Sequence, residues 1–154
     1  VAHAVGVGAV IFHDLKNDRT NNFDFALEEV VQFEGETGPY VQYTHARAMS
    51  ILRKANHTVD KEAAFSLTDD DAWEVLKLIE NYPNVVRFAE EKCEPSAIAK
   101  FVINLAQAFN KYYAHTKVLV EDEAFNSRIA LVQTTASLLK QGLALLGVAA
   151  PDEM

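Results

Sequence analysis

Tyr40, Tyr43 and Arg47 stand three and four residues apart in the stretch between positions 33 and 53. On a helix, this spacing places the three side chains on one face, together with Thr44. A flat aromatic ring beside a guanidinium that stays protonated is a combination that stacks on nucleic-acid bases and holds phosphate. On spacing alone, the more common alternative is that the tyrosines rim a helical core and Arg47 pairs with a carboxylate.

The residues before this face predict a loop that opens a helix. Gly35 and Gly38 suit a turn, and either Thr37 or Gly38 can cap the helix. Pro39 fits the first helical position, because its missing N–H would have no partner there. The apolar stripe that turns this helix toward a core consists of Val41, Ala48, Leu52 and Ala55.

Apolar residues recur at helical spacing along the rest of the chain, and no alternating β-pattern is found. We therefore predict an all-α fold, an antiparallel bundle of about seven helices. Besides the central helix, the predicted helices lie near residues 5–15, 25–31, 68–82, 85–89, 96–113 and 123–146.

The helix at 68–82 is bounded by two local features. Residues 68–71 predict an N-terminal cap with carboxylates near the positive end of the helix; a calcium loop, the alternative, would need alternating ligands and a mid-loop glycine. Pro83 is predicted to stop the helix after Tyr82. The predicted buried face consists of Ala72, Trp73, Val75, Leu76 and Ile79.

The last two helices carry regular apolar stripes. Tyr113 lies one step off its stripe, so we expect it at the edge of the bundle, where a phenol can present a stacking face. Gly147 suits the position after the last helix, and Pro151 blocks continuation. The predicted core positions are Ile98, Phe101, Val102, Leu105, Phe109 and Tyr112, followed by Ile129, Val132, Ala136, Leu139, Leu143 and Leu146.

Composition limits the classes of function. A chain of 154 residues with 49% hydrophobic content can bury the core of one domain. The net charge of −8 argues against broad electrostatic binding of nucleic acid but allows a small contact surface. The single cysteine, Cys93, favours a reducing compartment, which we expect to be the cytosol. No run approaches the roughly 18 apolar residues of a membrane span.

Catalytic and metal-binding patterns are absent from the sequence. The five histidines are scattered without the four-residue spacing of a helical metal site, and no serine lies in a nucleophile elbow. The residues by themselves therefore predict a helical domain with an aromatic and basic edge, and no catalytic or metal site.

Several stretches closely resemble arginyl-tRNA synthetases, and the resemblance covers the whole chain. They are Asp14 to Thr20, Phe33 to Arg47 (FEGETGPYVQYTHAR), Arg128 to Leu131, Gln141 to Gly147 and the final Met154. The related domains of cysteinyl- and glycyl-tRNA synthetases are an alternative that the stretch Gly-Pro-Tyr-Val-Gln-Tyr disfavours. A helical protein-interaction module is an alternative from another class.

The resemblance implies a carboxy-terminal fragment of a class I enzyme. Residues 1–36 would be a helical connection from the catalytic region, and residues 37–154 the all-helical anticodon-binding domain named for the sequence DALR. Neither the HIGH-type nor the KMSKS-type signature occurs, so ATP and arginine would bind upstream of Val1. We expect the fragment to be catalytically inactive alone and to hold no cofactor. Its expected partners are tRNA and the catalytic domain of the same chain, in a cytoplasmic enzyme that is a monomer.

The resemblance also implies a pocket for anticodon bases. Tyr43, Tyr113 and Met154 match the tyrosines and the final methionine of the family, and Tyr40 and Arg47 join them in the expected tRNA-binding set. Unstacked loop bases are typically held between aromatic or thioether surfaces. Glu153 stands where the family usually has arginine, so one phosphate or carboxylate contact is missing or supplied elsewhere.

Overall fold

The computed structural model describes all 154 residues as a helical bundle without strands, which confirms the predicted all-α class. None of the helices combines the length and apolar character needed to cross a bilayer. The helices are α1 (Ala2–Lys16), α2 (Leu27–Val30), α3 (Gly38–Ala55), α4 (Asp70–Lys92), α5 (Ser96–His115) and α6 (Phe125–Leu145).

There are six helices instead of about seven, because α4 continues through Pro83. The prediction that Pro83 ends a helix is wrong. Proline inside a helix costs about 3 kcal/mol or more, but the ring of Pro83 is exposed to solvent. The apolar stripe continues across it, and Ile79, Tyr82, Val86 and Ala89 pack against the core. Val85, Val86 and Ala89 lie beyond the proline and are partly buried against the core, and this burial of apolar surface offsets the penalty.

Trp73 does not belong to the buried face of α4, contrary to the prediction. Ala72 and Val75 are fully buried there, whereas the Trp73 side chain is 61% exposed. Trp73 lies at the rim of a shallow apolar groove with Phe65 and α6 residues such as Ala130. Trp73 is turned about 100° around the helix from the fully buried Ala72, so its ring lies on the surface.

The N-terminal caps of α3 and α4 lie in the segments where the sequence predicts them. The Thr37 hydroxyl accepts a hydrogen bond from the Tyr40 N–H at the start of α3, and the Asp69 carboxylate accepts one from the Ala72 N–H at the start of α4. Gly147 has a φ of +73°, which fits its predicted position after α6.

Helix α5 is the centre of the bundle and packs against α1, α3, α4 and α6. The predicted core positions of α5 and α6 are all buried. Burial also raises the pKa of Tyr112 to about 12. At Gly142, a Cβ atom would lie 2.3 Å from the Cγ1 atom of Val102, so this glycine permits the close approach of α6 to α5. The contact places the C-terminal part of α6 beside the N-terminal part of α5.

Candidate nucleic-acid interface

One surface cavity of about 440 Å³ is lined by α3, the end of α5 and the C-terminal segment. It contains four of the five side chains singled out in the sequence: Tyr43, Arg47, Tyr113 and Met154. We call this cavity the tyrosine pocket. The fifth, Tyr40, is half-buried beside it and does not line it.

The guanidinium of Arg47 lies against both pocket tyrosines. Its carbon atom is 4.9 Å from the centre of the Tyr43 ring and 5.7 Å from the centre of the Tyr113 ring, distances at which a cation is attracted to an aromatic face. The Tyr113 ring is nearly parallel to the buried Phe109 ring, with centroids 6.5 Å apart. Both tyrosines remain 41% exposed. Each therefore packs against Arg47 on one side and still presents ring surface to a ligand.

Polar contacts fix Arg47 from the other side. Its Nη1 donates to the Oδ1 atom of Asn110 at 2.6 Å. The Nδ2 atom of Asn110 donates to the Tyr40 hydroxyl at 3.0 Å and to Thr44 Oγ1 at 2.9 Å. Tyr40 and Thr44 therefore support the pocket from behind. Asn110 was missed in the sequence, because nothing local distinguishes it from other polar residues on α5.

The C-terminal segment is tied to the bundle by Asp152. Its carboxylate lies 3.0 Å from Nε2 of the buried His45, whose Nδ1 lies 3.0 Å from the Ala136 carbonyl oxygen. Lys140 lies 3.2 Å from the same carboxylate oxygen, and the hydrogen bonds from His45 and Lys140 hold the pKa of Asp152 below its usual range. These ties bring Met154 to the pocket.

The pocket is locally basic in an acidic chain. Arg47, Arg53 and Lys54 line it, with Glu153 as the only acidic side chain. Glu153 Oε1 is 3.7 Å from Arg53 Nη2, whereas neither Arg47 nor Lys54 forms an ion pair within the chain. The arrangement can therefore stack an aromatic ligand and hold an anion beside it.

No group of three or more histidine, cysteine or acidic side chains is placed to hold a metal ion. The free thiol of Cys93 is exposed at the end of α4, where it donates a hydrogen bond to the Glu90 carbonyl oxygen. The side chains that line the tyrosine pocket can stack on a ring, make a thioether contact and attract negative charge.

Comparison with known proteins agrees with this chemistry. The sequence profile of the DALR anticodon binding domain family matches residues 41–154. The chain is 66% identical to the arginine–tRNA ligase of Enterococcus faecalis and 60% identical to that of Lactiplantibacillus plantarum, in each case over the whole chain and 27% of the relative. It therefore spans about a quarter of the length of these curated relatives.

Solved structures show the same fold. The arginyl-tRNA synthetase of Thermus thermophilus superposes with a TM-score of 0.89 at 36% identity, over 99% of this chain and 27% of the other. That of Plasmodium falciparum gives a TM-score of 0.91 at 26% identity, over 99% of this chain and 28% of the other.

Proposed function

The chain belongs to the DALR anticodon binding domain family, and from this premise we propose that it recognises the anticodon loop of tRNA as one part of an arginine–tRNA ligase. The observation that carries the proposal is the convergence of Tyr43, Arg47, Tyr113 and Met154 on one cavity. Bases of a single-stranded loop can be splayed out and held between aromatic or thioether surfaces, while a cation attracts the backbone.

The activity of the whole enzyme is part of the same proposal. Arginine would be activated with ATP and transferred to tRNA by a catalytic region of the same chain, in the cytoplasm. Residues 1–36 would connect to that region, and residues 37–154 would form the anticodon-binding domain. The tyrosine pocket then contributes binding and placement of tRNA, and no bond-making step.

A binding experiment tests recognition directly. The 154-residue chain is titrated with the anticodon stem-loop of an arginine tRNA and with a stem-loop whose anticodon bases are replaced. We expect a clear preference for the first and a modest salt dependence, because few basic residues line the pocket. Equal binding to unrelated tRNAs and to heparin would contradict the proposal.

Substitutions locate the site. Tyr43→Ala or Tyr113→Ala removes a stacking surface worth roughly 1–3 kcal/mol per base, so affinity should fall about tenfold to a hundredfold. The matched control is Phe88→Ala, since Phe88 is a similarly exposed aromatic residue (50%) on α4 and does not line the pocket. A loss in the control as large as in the tyrosine variants would place binding elsewhere.

Removal of Met154 tests the C-terminus in a full-length enzyme that carries this chain. The aminoacylation kcat/KM should fall about tenfold to a hundredfold, mainly through weaker or misplaced tRNA binding. Arginine-dependent ATP chemistry should lose much less. A wild-type charging rate at subsaturating tRNA would show that Met154 has no role, and the pocket would reduce to the two tyrosines.

A further inference from the structure

We propose that Asn110 is a positioning residue of the tyrosine pocket: it fixes the Arg47 guanidinium through an uncharged acceptor and so keeps the whole positive charge available to RNA phosphate. The inference rests on the proposed tRNA-binding function and adds a residue that acts behind the pocket surface. Asn110 itself does not line the cavity.

The hydrogen bonds fix the orientation of the Asn110 amide. A guanidinium can only donate, so the amide oxygen must face Arg47, at 2.6 Å. The amide nitrogen then faces two hydroxyl oxygens, those of Tyr40 and Thr44, and donates one hydrogen to each. Since the Thr44 hydroxyl donates its own hydrogen to the Tyr40 carbonyl oxygen, its lone pairs are free to accept. Both amide hydrogens and the amide oxygen are therefore used.

This network orders the guanidinium before any ligand arrives. Arg47 is held by Asn110 on one side and by the rings of Tyr43 and Tyr113 on the other. Asn110 and Tyr113 lie three residues apart on α5, so one helix positions both the ring and the hydrogen-bond acceptor. The conformational entropy of ordering the arginine is then lost on folding and not on binding.

The neutrality of Asn110 distinguishes Arg47 from the five lysine and arginine side chains that form ion pairs. Lys77, Lys111, Arg128, Lys140 and Arg53 each have a carboxylate within 4 Å, whereas Arg47 has an amide. In a chain of net charge −8, the overall field opposes an approaching phosphate. A carboxylate in place of the amide would neutralise the guanidinium and compete with phosphate for its hydrogens.

Asn110→Asp tests this idea with little change of shape. The carboxylate keeps the acceptor for Arg47, and the Tyr40 hydroxyl can rotate to donate to it, whereas the Thr44 hydroxyl could do so only by giving up its bond to the Tyr40 carbonyl oxygen. We expect the variant to melt at the wild-type temperature or above. A role of Asn110 in mere packing or in holding Arg47 predicts unchanged RNA binding, because the aspartate holds the arginine at least as firmly.

The measurement is the affinity of the 154-residue chain for the arginine anticodon stem-loop as a function of salt concentration. Asn110→Asp should weaken binding at least tenfold at low salt and reduce the slope of log K against log salt by about one, the signature of one lost phosphate contact. Gln107→Ala, at an exposed position one turn earlier on α5, is the control and should bind as wild type. Wild-type affinity and slope in Asn110→Asp would overturn the proposal.

Arg47→Gln tests whether the Arg47 charge meets a phosphate, and this test does not depend on how the Asn110→Asp variant folds. The glutamine amide can still donate toward Asn110, but the charge is gone, so the slope should again fall by about one. An unchanged slope would overturn the proposal, since Arg47 would then meet no phosphate. Failure of the proposed function looks different: the wild-type chain itself would not distinguish the arginine stem-loop from one with replaced anticodon bases.

Discussion

Gly142→Ala tests the close approach of α5 and α6. Gly142 is buried within α6, and a Cβ atom there would lie 2.3 Å from Val102 Cγ1 and 3.8 Å from Ile98 Cγ2. Packed carbon atoms approach to about 3.5 Å, so the new methyl group overlaps the valine by about 1 Å. Val102 is fully buried, and its branched side chain is stiff in a helix.

Two opposing effects set the expected free energy of unfolding. Alanine in a helix interior is favoured over glycine by about 0.8–1.0 kcal/mol, whereas overpacking of a core typically costs about 1–3 kcal/mol. Because neither partner can move into solvent, we expect a cost at the upper end and a net destabilisation of about 2 kcal/mol. Gly6→Ala is the matched control: its Cβ would meet nothing within 4 Å, so it should stabilise α1 by up to about 1 kcal/mol.

Urea unfolding followed by circular dichroism measures both changes. Addition of Val102→Ala to Gly142→Ala removes the overlapping methyl group, so the two substitutions should show a favourable coupling of about 2–3 kcal/mol. A Gly142→Ala variant that is stabilised like Gly6→Ala would show that α5 and α6 do not cross at this glycine. The packing of the C-terminal part of α6 against the start of α5 would then lose its basis.

Four other substitutions test the core, a buried phenol and the C-terminal segment in denaturant melts. Phe109→Ala should cost about 3–5 kcal/mol because its ring is fully buried, and Tyr43→Ala much less; equal losses would make Tyr43 structural. Tyr112→Phe should be neutral or stabilise by roughly 1 kcal/mol, because the buried hydroxyl has no partner; a clear loss would reveal a bond that the structure lacks. The hydrogen bond from His45 lowers the pKa of Asp152 below 3.8, so the ionised carboxylate stabilises the fold above that pH and this contribution disappears as the pH falls through the lowered pKa. Asp152→Asn should therefore flatten the fall of stability below about pH 4, and an unchanged acid profile would contradict the tie.

Local features of the fold follow from the sequence by itself. The Thr37 cap and the buried stripes of α5 and α6 depend on residues three or four positions apart, which neighbouring turns of a helix bring together whatever the tertiary structure. The end of a helix at Pro83 was a local prediction of the same kind, and it was wrong. The apolar stripe at Ile79, Tyr82, Val86 and Ala89 extends past the proline, and only packing against the core makes this continuation favourable.

The residues of the tyrosine pocket likewise include some that local spacing indicated and others that only the tertiary structure brings together. The pairing of Tyr43 with Arg47 is a four-residue spacing and was visible in the sequence. The exposed edge position of Tyr113 followed from its step off the apolar stripe, while its place in one pocket with Tyr43, and Met154 altogether, came only from family resemblance. No spacing indicated the Arg47–Asn110 bond, which joins residues 63 positions apart, or the His45–Asp152 bond, which joins residues 107 apart. Side chains so distant in sequence meet only when burial of the helix faces fixes how α3, α5 and α6 lie against one another. The sequence therefore determined which residues could stack and carry charge, and the tertiary structure decided which of them share one pocket and which hold it from behind.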